Sequence, residues 1–162
     1  MESPSDTTGT NGRIPLGSTG GDTTHAFPST VIKDGSTYKM WYSGNNGTNW
    51  RIFYATSSDG LTWTKNNNAI ESASDTTGTA GRIPLGVTGA DTSGAFDPTV
   101  IKDGSTYKMW YAGYDGSNYR ILYATSSDGL TWTKHDNSVP ANTDLLSTEG
   151  RVGLGTSGTG DD

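Results

Sequence analysis

No cysteine occurs among the 162 residues. Disulfide staples and thiolate metal sites are thereby excluded, and no compartment is assigned. Hydrophobic residues are scarce, at 30%, while glycine fills 23 positions. Such a chain holds little material for a private core, and so polar a composition can signal disorder. No apolar run is long enough for a membrane span, and no charged start with an apolar stretch marks a signal peptide. The 11 lysines and arginines are scattered among 17 acidic residues, for a net charge of −6. Without a basic patch, nucleic acid is not an expected partner. No cofactor motif stands out. The Asp- and Asn-rich loops lack EF-hand spacing for Ca2+, and His25 and His135 have no histidine at the equivalent repeat positions.

Against these absences stand five Trp, eight Tyr and three Phe. They fall in compact runs with β-branched residues, which is the signature of strands. The runs repeat. Asp6 recurs at Asp75 and Asp144, a period of 69 residues. The stretch from Thr30 to Gly44 returns from Thr99 to Gly113 with one change, Ser43 to Ala112, and Tyr54 to Lys65 returns unchanged from Tyr123 to Lys134. Gly12-Arg-Ile-Pro-Leu-Gly17 returns at Gly81 to Gly86, and degenerately at Gly150-Arg-Val-Gly-Leu-Gly155. The chain therefore divides into an approach segment (1–27), a first aromatic block (28–70), a second approach segment (71–96), a second block (97–139) and a partial third repeat (140–162). The last of these reads either as a latch onto a neighbouring subunit or as a frayed tail from Thr156 onward.

Each block reads as four strands. In the first, they are Thr30 to Lys33, Tyr38 to Ser43, Arg51 to Thr56 and Leu61 to Lys65, with hairpin turns at Asp34-Gly35 and Asp59-Gly60. The second block repeats them from Thr99, Tyr107, Arg120 and Leu130. Alternation puts Tyr38, Met40 and Tyr42 on one face and Trp41 on the other; Ile52 and Tyr54 likewise oppose Phe53 and Ala55. Both faces are apolar, so both need cover, as in stacked propeller blades. The expected fold is all-β: a β-propeller of four-stranded antiparallel blades, two per chain. Two blades cover each other on one face only. Leaving the outer aromatics in water forfeits roughly 25 cal/mol per Å2 over about 150–250 Å2 each, more than a domain can spare. A homo-oligomer that closes the ring is therefore expected, with a trimer of six blades favoured over a dimer of four.

The segments Asp97-Pro-Thr-Val100, Tyr107-Lys-Met-Trp-Tyr-Ala-Gly113 and Ile121-Leu-Tyr-Ala-Thr-Ser-Ser-Asp-Gly129, with Trp132, resemble a blade of the glycoside hydrolase family 43-like propellers. These include arabinosidases, xylosidases and levansucrases. Ser57-Ser-Asp-Gly-Leu-Thr-Trp63 is also similar to the Asp-box of sialidase-type propellers, one residue shorter, which implies a hairpin-stabilising role for Asp59 and Asp128.

The family 43 resemblance implies that Asp97, opening the innermost strand, reaches the central pocket as a general base. Pro28 stands at the matching position of the first block. Glycoside hydrolysis needs two carboxyls in distinct environments, and Glu2, Glu71 and Glu149 sit in no recognisable acid motif. The sequence thus favours a non-catalytic module that binds a glycan or another polar ligand at its axial face. An enzyme using Asp97 and a purely structural propeller are the alternatives. Arg13, Arg82 and Arg151 recur at the period and are candidate ligand contacts, since a planar fork suits carboxylates and sugar hydroxyls; salt bridges to Asp22, Asp75 or Asp91 are the competing use. Tyr114 and Tyr119 replace Asn45 and Trp50 and are candidates for stacking on sugar faces, with a hairpin clasp as the alternative.

Overall fold

Residues 8–135 are described by the computed structural model. Every named element is a strand. The first repeat contributes β1 (Thr8–Gly9), β2 (His25–Asp34), β3 (Thr37–Asn45), β4 (Trp50–Ser57) and β5 (Trp63–Lys65). The second contributes β6 (Thr77–Gly78), β7 (Gly94–Asp103), β8 (Thr106–Tyr114), β9 (Tyr119–Ser126) and β10 (Trp132–His135). In each unit the four longer strands form an antiparallel meander, and the two-residue strand from the approach segment adds to the far edge, β1 on β5 and β6 on β10. A single parallel bridge, Trp50 to Gly94, joins the two meanders into one ten-stranded sheet.

The first three strands of each unit extend beyond their expected limits. β2 starts at His25 rather than Thr30, across an irregularity between Pro28 and Thr30 where one extra residue is accommodated. Proline is tolerated there because β2 pairs with β3 alone. The first hairpin turn lies one residue later than expected. Asp34 still pairs with Thr37, leaving Gly35 and Ser36 as the two-residue loop, with Gly35 at φ +61°. A glycine meets that positive φ without steric cost. β5 begins at Trp63 rather than Leu61 because Asp59 Oδ1 accepts from the backbone N–H groups of both Leu61 and Thr62, holding them in the turn.

The two faces of the sheet are apolar, as alternation requires. Trp41, Ile52 and Tyr54 of unit 1 are buried in one cluster with Val100, Tyr107, Met109, Tyr111, Leu122 and Trp132 of unit 2. One face of unit 1 therefore packs on the opposite face of unit 2. The second approach segment passes between them: Ile83 N–H donates to Ile52 O at 3.3 Å, and Ile83, Leu85 and Ala90 join the same core. The other face of unit 1 forms a smaller cluster of Met40, Tyr42, Phe53, Ala55 and Trp63.

Each approach segment is tied to its own unit by a buried charge. Asp22 accepts from Lys65 Nζ at 2.7 Å, Tyr42 OH at 2.9 Å and Asn68 Nδ2 at 2.8 Å. Asp91 repeats this with Lys134 at 2.6 Å and Tyr111 at 3.0 Å. Burial and the adjacent carboxylate push both tyrosine hydroxyls far up, so they remain donors.

Candidate functional site

The bridge between Trp50 and Gly94 brings the start of β4 beside the start of β7. Side chains from both units meet at this end of the sheet. Phe27, Thr48 and Trp50 from unit 1 and Ser93, Gly94, Phe96, Asp97, Tyr114 and Tyr119 from unit 2 line a cleft of about 360 Å3.

The walls are aromatic. Phe27 stacks on Trp50 at 5.3 Å between centroids, Trp50 meets Phe96 at 6.3 Å, and Phe96 meets Tyr119 edge-on at 6.0 Å. Tyr119 stacks on Tyr114 at 4.4 Å, and the two are direct cross-strand partners. The clasp and the exposed platform are thus the same pair, because Tyr119 keeps 59% of its surface open. Tyr114 OH donates to Gly116 O at 2.7 Å and fixes its ring against the β8–β9 loop. That loop is held by Asp115, which accepts from the N–H groups of Ser117 and Asn118 and pairs with Arg120. These hydrogen bonds lower the Asp115 carboxyl to about 2.

Asp97 supplies the charge. It is exposed and sits at φ +51°, between the last paired residue Phe96 and the resumption of pairing at Thr99. Left-handed φ is unfavourable for a residue with a Cβ, and the residue before proline is normally restricted to extended backbone. Both rules are broken at once. Ser43 of unit 1 holds the conformation: Asp97 N–H donates to Ser43 Oγ at 2.8 Å, and that hydroxyl donates to Asp97 Oδ1 at 3.4 Å. Proline cannot take positive φ, so Pro28 cannot reproduce this arrangement in unit 1.

The structure brings Asp97, Tyr114 and Tyr119 together, and leaves Arg13 and Arg82 elsewhere. Arg82 is buried, donating to Ala69 O at 2.5 Å and Thr79 O at 3.4 Å and pairing with Glu71 at 3.4 Å. Its partner is thus Glu71, and Asp22 and Asp91 take lysines instead. Asp75 caps the N–H groups of Val87 and Thr88. Arg13 is exposed beside a second groove with Ile14, Ala26, Phe27, Pro28, Met40 and Tyr42. Arg151 and the partial third repeat lie outside the described residues.

Phe27, Trp50 and Phe96 were not singled out from the sequence. A signal existed, since Phe27 and Phe96 recur at the period and immediately precede Pro28 and Asp97. Among the described residues, no group of three or more His, Asp or Glu side chains could hold a metal ion. Asp59 serves its hairpin: backbone N–H donation from Thr62 and Leu61 lowers its carboxyl to about 2.

No protein-family model matches the chain. It is 39% identical over 111 residues to two uncharacterized proteins of Mycobacterium tuberculosis, MT1551 of strain CDC 1551 and Rv1502 of strain H37Rv, covering 63% of this chain and 31% of each of them. The chain thus spans about a third of the length of these relatives. Among solved structures, it is similar to a glycosyl hydrolase from Bacteroides ovatus (TM-score 0.54, 21% identity, 69% of this chain, 31% of that one). It is also similar to a protein from work on the GH130 family of mannoside phosphorylases (0.56, 20%, 72% and 32%). A family 117 glycoside hydrolase of Zobellia galactanivorans matches as well (0.53, 15%, 76% and 40%). The chain has a glycosidase-like propeller fold, and the likeness extends over several hydrolase families.

Proposed function

We propose that the two repeat units are successive blades of a propeller, and that the cleft between them binds carbohydrate without turning it over. The observation that carries this reading is the aromatic wall of Phe27, Trp50, Phe96 and Tyr119 around one carboxylate, Asp97. Sugar rings present apolar C–H faces to aromatic planes and hydroxyl donors to carboxylates. A largely apolar cleft with few polar groups suits such a ligand. Among the described residues Asp97 is the one carboxylate lining the cleft. Hydrolysis needs a second one in a different environment, which supports binding over catalysis. Exposed apolar side chains on the sheet, Val31 in unit 1 and Ile101 and Ile121 in unit 2, support a ring completed by further copies of the chain, a trimer in preference to a dimer.

An array of plant and microbial oligosaccharides, including β-1,2-mannosides, tests the binding. The expected result is capture of at least one class, weakened about tenfold by Trp50→Ala or Tyr119→Ala, which is about 1.4 kcal/mol. Absence of capture across the array would sink the reading. Turnover of aryl glycosides that disappears in Asp97→Asn would replace it with an enzymatic one.

A further inference from the structure

Asp97 differs from the other described carboxylates in what it holds. Asp22 and Asp91 pair with Lys65 and Lys134 in the buried core. Asp34 pairs with Lys39 and Lys102, Glu71 with Arg82, Asp103 with Lys108 and Asp115 with Arg120. Asp59 and Asp128 accept backbone N–H groups of their hairpin turns, and Asp75 accepts those of Val87 and Thr88. Among the described residues, Asp97 alone has neither a cation nor a backbone N–H on its carboxylate. Its hydrogen bond comes from the Ser43 hydroxyl at 3.4 Å, at the long end of the range.

The cleft around it supplies no compensating charge. Among the described residues, no lysine or arginine lines it. Arg51, beside Trp50 in β4, alternates to the opposite face with Phe53. Arg120, beside Tyr119 in β9, is buried against Asp115. His25 packs against Trp50 and Phe27 at 5.6 and 5.9 Å and does not itself line the cleft. A carboxylate is thus exposed at the wall with its charge unneutralised.

The rings do not form one flat platform. The Phe27–Trp50 pair of unit 1 is nearly parallel, at 23°, and so is the Tyr114–Tyr119 pair of unit 2, at 19°. Phe96 stands between them, at 51° to Trp50 and 82° to Tyr119. Ring faces therefore turn into the cleft at several angles. Each face carries the negative side of the aromatic quadrupole, which attracts a cation. Aromatic faces set at angles about an anionic group are the arrangement that recognises ammonium groups. Neutral hydroxyls would use the carboxylate and leave the quadrupoles unused. A carboxylated sugar would be repelled by Asp97. The net charge of −6 adds a long-range attraction for cations.

We infer that the cleft selects a sugar carrying an ammonium group, an amino sugar whose nitrogen is free or methylated. The nitrogen sits at Asp97 among the aromatic faces. Thr48 and Ser93, which also line the cleft, are left for the sugar hydroxyls. The inference rests on the carbohydrate reading of the cleft and specifies which sugar it takes.

Titration calorimetry with three forms of one chito-oligosaccharide tests it. The nitrogens are free amines, N-acetylated, or trimethylated, so one pyranose frame carries a titrating charge, none, or a fixed one. Both charged forms are expected to bind at least about tenfold more tightly than the N-acetylated form. Added salt should weaken the charged forms selectively. Asp97→Asn retains the backbone N–H to Ser43 and deletes the charge. It should bring the charged forms down to the affinity of the N-acetylated one. Tyr119→Leu should likewise cost the charged forms more than the neutral one. Equal affinity for all three forms, or a preference for the N-acetylated form, would overturn the ammonium and leave sugar binding standing. A charge preference that survives Asp97→Asn would also overturn it, because attraction to the acidic surface at large explains that result. Capture of choline with none of the three forms bound would overturn the amino sugar as occupant. Failure of the carbohydrate reading itself is distinct: neither the oligosaccharide array nor any of the three forms would bind.

Discussion

Asp97 combines a left-handed φ with a following proline, and one hydroxyl from the neighbouring unit holds it there. Such strain persists where the surroundings over-determine the conformation, and it collects at functional positions. Two substitutions separate the backbone from the carboxylate. Asp97→Ala and Asp97→Gly both delete the charge, but only glycine adopts φ +51° freely. The glycine variant should therefore be the more stable of the two by about 1 kcal/mol, read as a higher Tm, while both lose sugar binding equally. A second residue, Lys65, acts on stability alone. Its ammonium and the Asp22 carboxylate are both fully buried. Lys65→Met would leave Asp22 as a buried unpaired charge, at a cost of about 3–5 kcal/mol in denaturant unfolding. Lys65→Met with Asp22→Asn should recover part of that loss. The sequence marked Asp97 through its resemblance to a catalytic aspartate. It could not mark Ser43 as the partner, because the two are 54 positions apart and meet only when the units pack.

At the scale of elements, the β4–β5 turn is organised by one carboxylate. Asp59 accepts from the N–H groups of Thr62 and Leu61, and its carboxyl is lowered from 3.8 to about 2. A carboxyl lowered on folding adds stability that is present above its unfolded value and lost as pH falls through the folded one. The turn should hold at pH 5 and loosen between about pH 4 and 2. Carboxyl 13C NMR should place the Asp59 midpoint near 2, and Asp59→Asn should remove that step from the acid-unfolding curve. This role was legible through the Asp-box resemblance of Ser57-Ser-Asp-Gly-Leu-Thr-Trp63, which carries over because the turn is local. The eight longer strands were legible for a related reason: alternation of Tyr38, Met40 and Tyr42 against Trp41 needs no tertiary context. β1 and β6 were not. A Thr-Gly pair carries no alternation, and each becomes a strand only because β5 or β10 offers an open edge. The Arg82–Glu71 pair was missed although a signal existed, since Glu2 and Glu71 recur at the same period as Arg13 and Arg82.

For the whole molecule, near-identity of the repeats makes the rare differences informative. Ser43 and Asp97 form one polar pair, and Ala112 and Pro28 occupy the equivalent places without it. In a ring completed by further copies of the chain, the two kinds of junction alternate, one inside each chain and one between chains. Only the internal junction has a carboxylate in its cleft, so wild type should bind one sugar per chain by titration calorimetry. Restoring the pair across the boundary, with Pro28→Asp and Ala112→Ser together, should convert the second cleft and give two sugars per chain. Pro28→Asp alone should gain less, because its new N–H would face an alanine that cannot accept it. Diluting the double variant until its copies separate should return the count to one, since a single chain has no boundary cleft. A count of two in the separated chain would mean that the second site belongs to unit 1 itself, and that alternation of junctions does not describe the assembly.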